Sequence, residues 1–488
     1  MKRVRVIPRR VIRASGGYEG AGQGRRAAGW DAPDGAINSL AVPNLPTLRK
    51  RARAAVRNDP YGFSAIDRRV SNLIGTGITP RSLVKDADLR EELRELWEDW
   101  CAEADADGLL DFYGLQALIS RMVEESGECF VRLRPRRPSD GLAVPLQLQV
   151  LAPEFVPVDK TETTRNGNRI KAGIEFDALG RRVAYWMYRR HPGDRLEGGQ
   201  YGQLVRVSAA EVLHIFEPTE SGQLRGVPRL APVLLRLKSL NNFDDAVLFR
   251  QEVANLFAGF IRKPQSDSSM PAVDPLAGVE AEHDTDGFTP MVGLEPGSMQ
   301  ELLPGEEVVF SDPPDAGNGY VEFMRQQLQA AAAGVGLPYE LLTGDMREVN
   351  DRVIRVILNE FRRRIEQLQF SVYVHQLCRP VRAAWLDMAV LAGEVSLPDY
   401  NARRRHYLRT RWVPQGWAYI HPVQDVQSKQ MEVAAGFTSR SEVVLRSGYD
   451  AEQIDHENAE DNARAERLGL HYASTATADV QDPQDPMP

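Results

Sequence analysis

Two stretches of this 488-residue chain gather side chains with chemical potential. Glu103, Asp105, Asp107, Gly108 and Asp111 fall at near EF-hand spacing, with Leu110 where an apolar residue belongs. A calcium loop needs a bidentate Glu at its twelfth position and an Asp at its first; here Gly114 and Glu103 stand there, so a polar connection between two helices is expected instead. The second stretch, residues 264–324, holds 13 Asp or Glu and no Lys or Arg, although the chain has 60 basic residues. Burying so many carboxylates without cations is prohibitive, so they must face water, a partner protein, or a polymer that should not adhere. Eight prolines in the same stretch fit a solvated surface insertion. The sharper reading is an acidic collar, which around nucleic acid would weaken phosphate contacts and favour sliding over binding.

No enzyme motif accompanies these groups. The chain has no Gly-Lys pair and hence no phosphate-cradling loop, and no HExxH, paired CxxC or GxSxG. GAGQG at Gly20 lacks the third glycine of a dinucleotide fingerprint. Cys101, Cys129 and Cys378 are odd in number and far apart, which predicts buried thiols in a reducing compartment. No cofactor and no metal are expected.

The acidic stretch is bracketed by helical patterns, Leu230 to Phe260 before it and Tyr320 to Ala333 after it, so the chain should leave a body along one helix and return along another. Within that body a helix is expected from an N-cap at Thr47 to Arg57, and a second capped by Asp59 with Pro60 in its first turn, ended by Gly75 and Gly77. Leu89–Cys101 and Phe112–Glu124 read as further amphipathic helices. Leu146–Leu151, Ile170–Phe176, Val183–Tyr188 and Val212–Phe216 then read as short strands with turns at Asn166-Gly167 and Leu179-Gly180, giving an antiparallel sheet and an α+β body. From Asn350 a long helix carries Ile354, Leu358, Phe361, Ile365, Leu368 and Val372 at alternating spacings of four and three, a packing seam, until Pro380 kinks or breaks it. Arg355, Arg362, Arg363 and Arg364 crowd its other faces.

Residues 1–57 hold 13 basic against 3 acidic side chains, while 449–488 hold 2 against 10, so the net charge of -8 conceals a basic Gly-rich arm and an acidic tail. Few large apolar residues precede residue 45, so 1–45 is expected to be disordered. No apolar run is long enough for a bilayer and no signal peptide opens the chain; no membrane is expected, and synthesis and assembly in the cytosol are.

The order of these segments resembles the lambda-type portal proteins of tailed bacteriophages. The resemblance runs through RNDPYGFSAIDRRVSNLIGTGITP, WEDWCAEADADGLLDFYGLQALISRMVEESGECFVRL, GIEFDALGRRVAYWMYRRHPGD, EVLHIFEPTESGQLRGVPRLAPVLLRLKSLNNFDDA, LLPGEEVVFSDP and AAGVGLPYELLTGD, about residues 45–395 in order. It implies a ring of typically twelve subunits at one capsid vertex, through which double-stranded DNA is packaged and later ejected without sequence specificity. Implied partners are the terminase large subunit, whose ATPase drives packaging, then the head-tail connector, with the major capsid and scaffolding proteins around the ring. The implied portal fold has a helical and antiparallel-β wing at 46–228, stem helices at 229–263 and 317–336, and a small α/β acidic clip at 264–316. A tunnel loop with a long kinked wing helix occupies 337–395, and a helical C-terminal crown with a disordered acidic tail 396–488.

The implied site residues follow from that assignment. Glu280, Glu282, Asp284, Asp286, Glu306 and Glu307 are the clip residues for partner docking. Relatives tend to follow the Gly-Asp of the loop with Asn and small hydroxyl residues; here Asn350 is followed by Asp351, Arg352 and Val353, and Arg347, Asn350 and Arg352 are the loop residues expected at DNA. Ile354, Leu358, Phe361, Ile365 and Leu368 form the packing seam. Competing readings are another head-tail adaptor or minor capsid protein, for which the chain is long, and a DNA-processing nuclease.

Overall fold

A computed structural model of the chain describes residues 32–194, 202–255, 259–262, 307–310, 319–347, 349–417 and 422–470. Order starts before the expected position: α1 (Ile37–Ala41) and a 3-10 turn (Val42–Asn44) run into α2 (Leu45–Asn58). The Asn38 amide fixes this entry by donating to Gly222 O and accepting from Leu224 N, both at 2.9 Å. Thr47 therefore lies inside α2, whose cap position is Asn44. At α3 (Pro60–Leu73) the expected cap holds, with the Asp59 carboxylate accepting from Gly62 N at 2.8 Å. Positive φ at Gly75 and Gly77 turns the chain out of α3.

Strand β1 (Thr79–Ser82) precedes α4 (Ala87–Glu103) and α5 (Phe112–Ser126). In the connection between these helices the Asp105 carboxylate accepts the backbone N–H groups of Asp107, Leu109 and Leu110, which makes it a turn-forming group. Trp97, Trp100 and Phe112 then meet in tilted and edge-to-face contacts with centroids 4.9 to 5.5 Å apart in the main core.

The strands divide into two sheets where one was expected. β2 (Glu128–Pro135) is central to the first, flanked by β3 (Leu146–Leu151) and the later β9. The second sheet runs β4 (Glu162–Thr163), β5 (Arg169–Lys171), β6 (Ile174–Phe176), β7 (Arg182–Tyr188) and β8 (Leu204–Ser208) in order, and β9 (Val212–Phe216) then returns to β2. All these ladders are antiparallel. Ile170–Phe176 is two strands, because Ala172 and Gly173, both at positive φ, make a hairpin in its middle. Phe130, Tyr185, Met187 and Val207 fill a second core between the sheets.

Next come α6 (Leu234–Asn255), the pair β10 (Gly259–Arg262) and β11 (Glu307–Phe310), α7 (Tyr320–Val335) and α8 (Tyr339–Thr343). α9 (Asp351–Leu368) passes into ten residues of π winding, Gln369–Cys378, and then α10 (Arg379–Ala392). No break occurs at Pro380, which sits in the first turn of α10; the winding change precedes it, with Arg379 N bonded to Val374 O, five residues back. From within this run the Gln369 side-chain amide donates to Leu73 O at 2.9 Å and so caps α3. α11 (Tyr400–Tyr407), β12 (Thr410–Val413), which pairs with β1, and α12 (Pro422–Ala434), α13 (Arg440–Arg446) and α14 (Ala451–Leu468) complete the chain. The result is a mixed fold of helices and antiparallel sheet. Cys101, Cys129 and Cys378 are buried free thiols, as expected, and burial pushes the first up to about 12.

Candidate channel segment and its anchoring

The paired helices leave the body as an antiparallel hairpin. Arg236 meets Gln327, Leu240 packs with Met324 and Leu328, and Asp244 accepts from the Tyr320 hydroxyl at 2.8 Å, so contacts climb one helix as they descend the other. That bond to Asp244 pushes the phenol up to about 12. Phe243 stacks on Tyr320 and tilts against Phe323, with centroids 6.0 and 5.1 Å apart. Past Leu240 no side chain of α6 is buried as far as Glu252, and Leu248 and Phe249 are each more than 60% exposed. Beyond the helices β10, just ahead of the acidic stretch, pairs antiparallel with β11 inside it. Glu280, Glu282, Asp284, Asp286 and Glu306 lie outside the described residues; Glu307 begins β11, its backbone opposite Arg262.

Both helices are tied to the body at one buried carboxylate. Glu124 on α5 accepts from Arg69 Nε at 2.6 Å and from Arg229 Nε at 3.3 Å, and Arg229 lies five residues before α6. Arg69 also reaches the carbonyls of Val335 and Gly336 at the end of α7, each at 3.4 Å. Arg229 continues to Glu217, and Arg364 on α9 donates to the same Glu217 at 2.5 Å. Burial opposes ionisation of Glu124 most strongly, but Arg69 and Arg229 outweigh it and hold the carboxyl below its ordinary range.

A second centre stands one turn of chain away at Glu128. It accepts from Arg225 Nε at 2.7 Å, from Arg49 Nη2 at 2.5 Å, from Gly226 N at 2.9 Å and from His214 Nε2 at 2.9 Å. His214 Nδ1 lies 3.3 Å from Arg182 Nη1, which fixes the neutral tautomer protonated at Nε2. Burial is the main cause that pushes the imidazole down to about 4. Burial likewise opposes charge on Glu128, and Arg225 and Arg49 overcome it, leaving the carboxyl well below the usual range. Arg225 spends its other donors on the carbonyls of Pro153, Val156 and Ala172. This closeness needs two glycines in contact: a Cβ on Gly226 would stand 2.0 Å from Gly127 O, and Gly127 itself has φ 91°.

The three loop residues come together at the start of α9. Asn350 caps that helix, its side chain accepting from Arg352 N at 2.9 Å, while Arg347 pairs with Asp345 at 2.8 Å and Arg352 is exposed. The bond from Arg347 is the main reason the Asp345 carboxyl sits below its ordinary range. The seam divides: Phe361, Ile365 and Leu368 are buried in the main core, whereas Ile354 and Leu358 are only half-buried and Val353 and Val356 are exposed. Sequence reasoning missed both carboxylate centres. Their signal was available in MVEES and ECFVRL, where Glu124 and Glu128 interrupt apolar runs, and in QLRGVPRL, which supplies Arg225 and Arg229.

The family model described as "Phage portal protein, lambda family" matches residues 23–369. A protein called "Probable portal protein" from Halomonas phage phiHAP-1 is 26% identical over 437 residues, covering 87% of this chain and 81% of the relative. "Portal protein B" of Escherichia phage lambda is 22% identical over 516 residues, covering 96% and 93%. Among solved structures, the neck of a native gene transfer agent particle computed with C12 symmetry aligns with 82% of this chain and 91% of its own, at 16% identity and a TM-score of 0.44. The family match begins ahead of α1, takes in both buried carboxylate centres and the paired helices, and ends at the first residue of the π winding. The chain belongs to the lambda family of phage portal proteins.

Proposed function

We propose that this chain is the subunit of a closed ring, of twelve copies, that conducts double-stranded DNA into and out of a phage capsid at its portal vertex. The single observation that carries this reading is family membership across most of the chain, ordered around a helix hairpin that leads to an acidic stretch. In this reading residues 46–228 and 337–395 form the wing, 229–263 and 317–336 the stem, and 264–316 the clip, with a C-terminal crown over 396–488. Exposed Leu248, Phe249 and Val321 on the hairpin support it, since apolar helix faces left uncovered by one chain are covered by its neighbours in a ring. The clip carboxylates Glu280, Glu282, Asp284, Asp286, Glu306 and Glu307 dock the terminase large subunit and then the head-tail connector. Arg347, Asn350 and Arg352 line the channel near DNA, where exposed guanidinium groups at the head of α9 meet phosphate transiently. Capsid and scaffolding proteins surround the wing.

The role is structural. Glu124 and Glu128, two of the buried carboxylates, are engaged by arginines, which makes them structural charges and leaves no proton-transfer task for them. Among the described residues no helix is long and apolar enough to cross a membrane. Electron microscopy and native mass spectrometry of the purified chain are expected to give closed rings. Monomers and dimers alone at micromolar concentration would overturn the reading, as would metal-dependent DNA cleavage lost on changing a single acidic residue.

A further inference from the structure

A cleft of about 300 Å³ opens between the two sheets, and the charged side chains that line it among the described residues are all arginines. Arg132 and Arg134 from β2 and Arg189 after β7 stand at it with the Gln149 amide, and among the described residues no carboxylate lines it. Arg132 and Arg134 share a face of β2 because strand residues two apart point the same way. Arg134 Nη1 donates to Gln149 Oε1 at 2.8 Å, and the Glu211 carboxylate approaches Arg132 only to 3.7 Å from outside the cleft. The Arg132 Nε is buried without a hydrogen-bond partner among the described residues, a donor that needs an acceptor. Burial, then the like charges of Arg132 and Arg136, lower the pKa of Arg134, so positive charge here is under-compensated. Below the guanidinium groups the wall is apolar, built from Leu151, Phe155, Met187 and Val207. The larger cleft beside α9 differs, because there Arg411 is paired with Glu442 and the Trp417 indole with Glu366.

We propose that the cleft between the sheets docks an acidic peptide segment of a partner protein, one with a large apolar side chain flanked by carboxylates. Carboxylates suit the planar fork of guanidinium, and a volume of about 300 Å³ takes one large side chain and no folded element. The apolar wall decides the class: a hydrated phosphodiester would leave it empty, whereas a Phe or Leu anchor would fill it.

The test uses the full-length chain and fluorescence anisotropy of a short labelled Glu-Gly peptide with one central Phe. Comparison probes replace the Phe by Ala, replace every Glu by Gln, or are a labelled oligodeoxythymidine. The Phe-containing acidic peptide should bind, with the Ala probe about tenfold weaker and the Gln probe weaker still. Arg134→Gln and Arg189→Gln should each weaken binding by about tenfold. Arg189 is exposed, so Arg189→Gln should leave the melting temperature unchanged and its binding loss cannot be assigned to misfolding. Binding that ignores both the Phe and Arg189→Gln would overturn the proposal. So would oligodeoxythymidine binding as tightly with the same arginine dependence, which would make the cleft a nucleic-acid site.

Discussion

Glu128→Gln preserves volume but removes the one negative charge that Arg49, Arg225 and His214 share, and it turns one of the two acceptor oxygens into an NH2 donor facing donors. The two guanidinium groups are at most 3% exposed, so the variant leaves buried cations with a neutral amide as their only common acceptor. Breaking a buried pair in this way costs about 3–5 kcal/mol. Arg225 keeps its bonds to three backbone carbonyls, which places the expected loss toward the lower end, about 3 kcal/mol. At roughly 1 °C per kcal/mol for a chain of this size, the melting temperature should fall by about 3 °C. The control is Arg94→Gln, which breaks exposed pairs with Glu91 and Glu98 and should cost under about 1 kcal/mol. Differential scanning fluorimetry at pH 7 separates the two. A Glu128→Gln shift no larger than that of Arg94→Gln would refute the claim that the buried charge organises this region.

Acidification should act through the same centre. His214 is held neutral down to about 4 in the folded chain and protonates near 6.5 when unfolded, so the unfolded state binds more protons in between and stability falls as pH drops. This group should cost about 2 kcal/mol between pH 7 and pH 5, and urea unfolding of His214→Asn should show a flatter dependence. Ile365→Asp or Leu368→Asp buries a lone carboxylate in the main core and should abolish folding or assembly; normal rings from both by electron microscopy would disprove the seam assignment. Replacing residues 264–316 by a short loop should leave the body folded by circular dichroism, at modest closure cost, while DNA packaging fails. Packaging at wild-type efficiency by the deletion variant would show that the acidic stretch is not the docking element.

The parts of the fold legible in the sequence were those set locally. Asp59-Pro60 specified a helix start because cap and first turn need only adjacent residues, and the strand Leu146–Leu151 was framed by its own turns. Thr47 misled because a good capping residue is not used when upstream chain is already helical, a condition set by Asn38 bonding to residues 222 and 224 far along the chain. The hairpin inside Ile170–Phe176 was hidden since Ala172, with φ 50°, carries no turn signature. The helix run continues past Pro380, and the π winding just upstream of it is not something that the periodicity of apolar residues reports. Buried ion pairs were least legible, because Arg69 and Glu124, or Arg225 and Glu128, are joined only by tertiary structure.

Glu124 explains why charges occupy a place where apolar packing would be no less stable. Replacing a buried ionic cluster by hydrophobic residues is often neutral or stabilising, so stability alone does not account for it. Geometry does. Apolar side chains tolerate sliding, but Glu124 must simultaneously accept from Arg69, which also reaches the last carbonyls of α7, and from Arg229, which leads into α6. The start of one helix and the end of the other are thereby set against a single atom pair, and Glu217 extends the constraint through Arg364 to α9. Helix α6, with no buried side chain between Leu240 and Glu252, depends on its root for direction, and play at the root would be magnified along it. Directional bonds at Glu124 supply that orientation, and the exposed apolar residues farther out can then meet a neighbouring surface in one register.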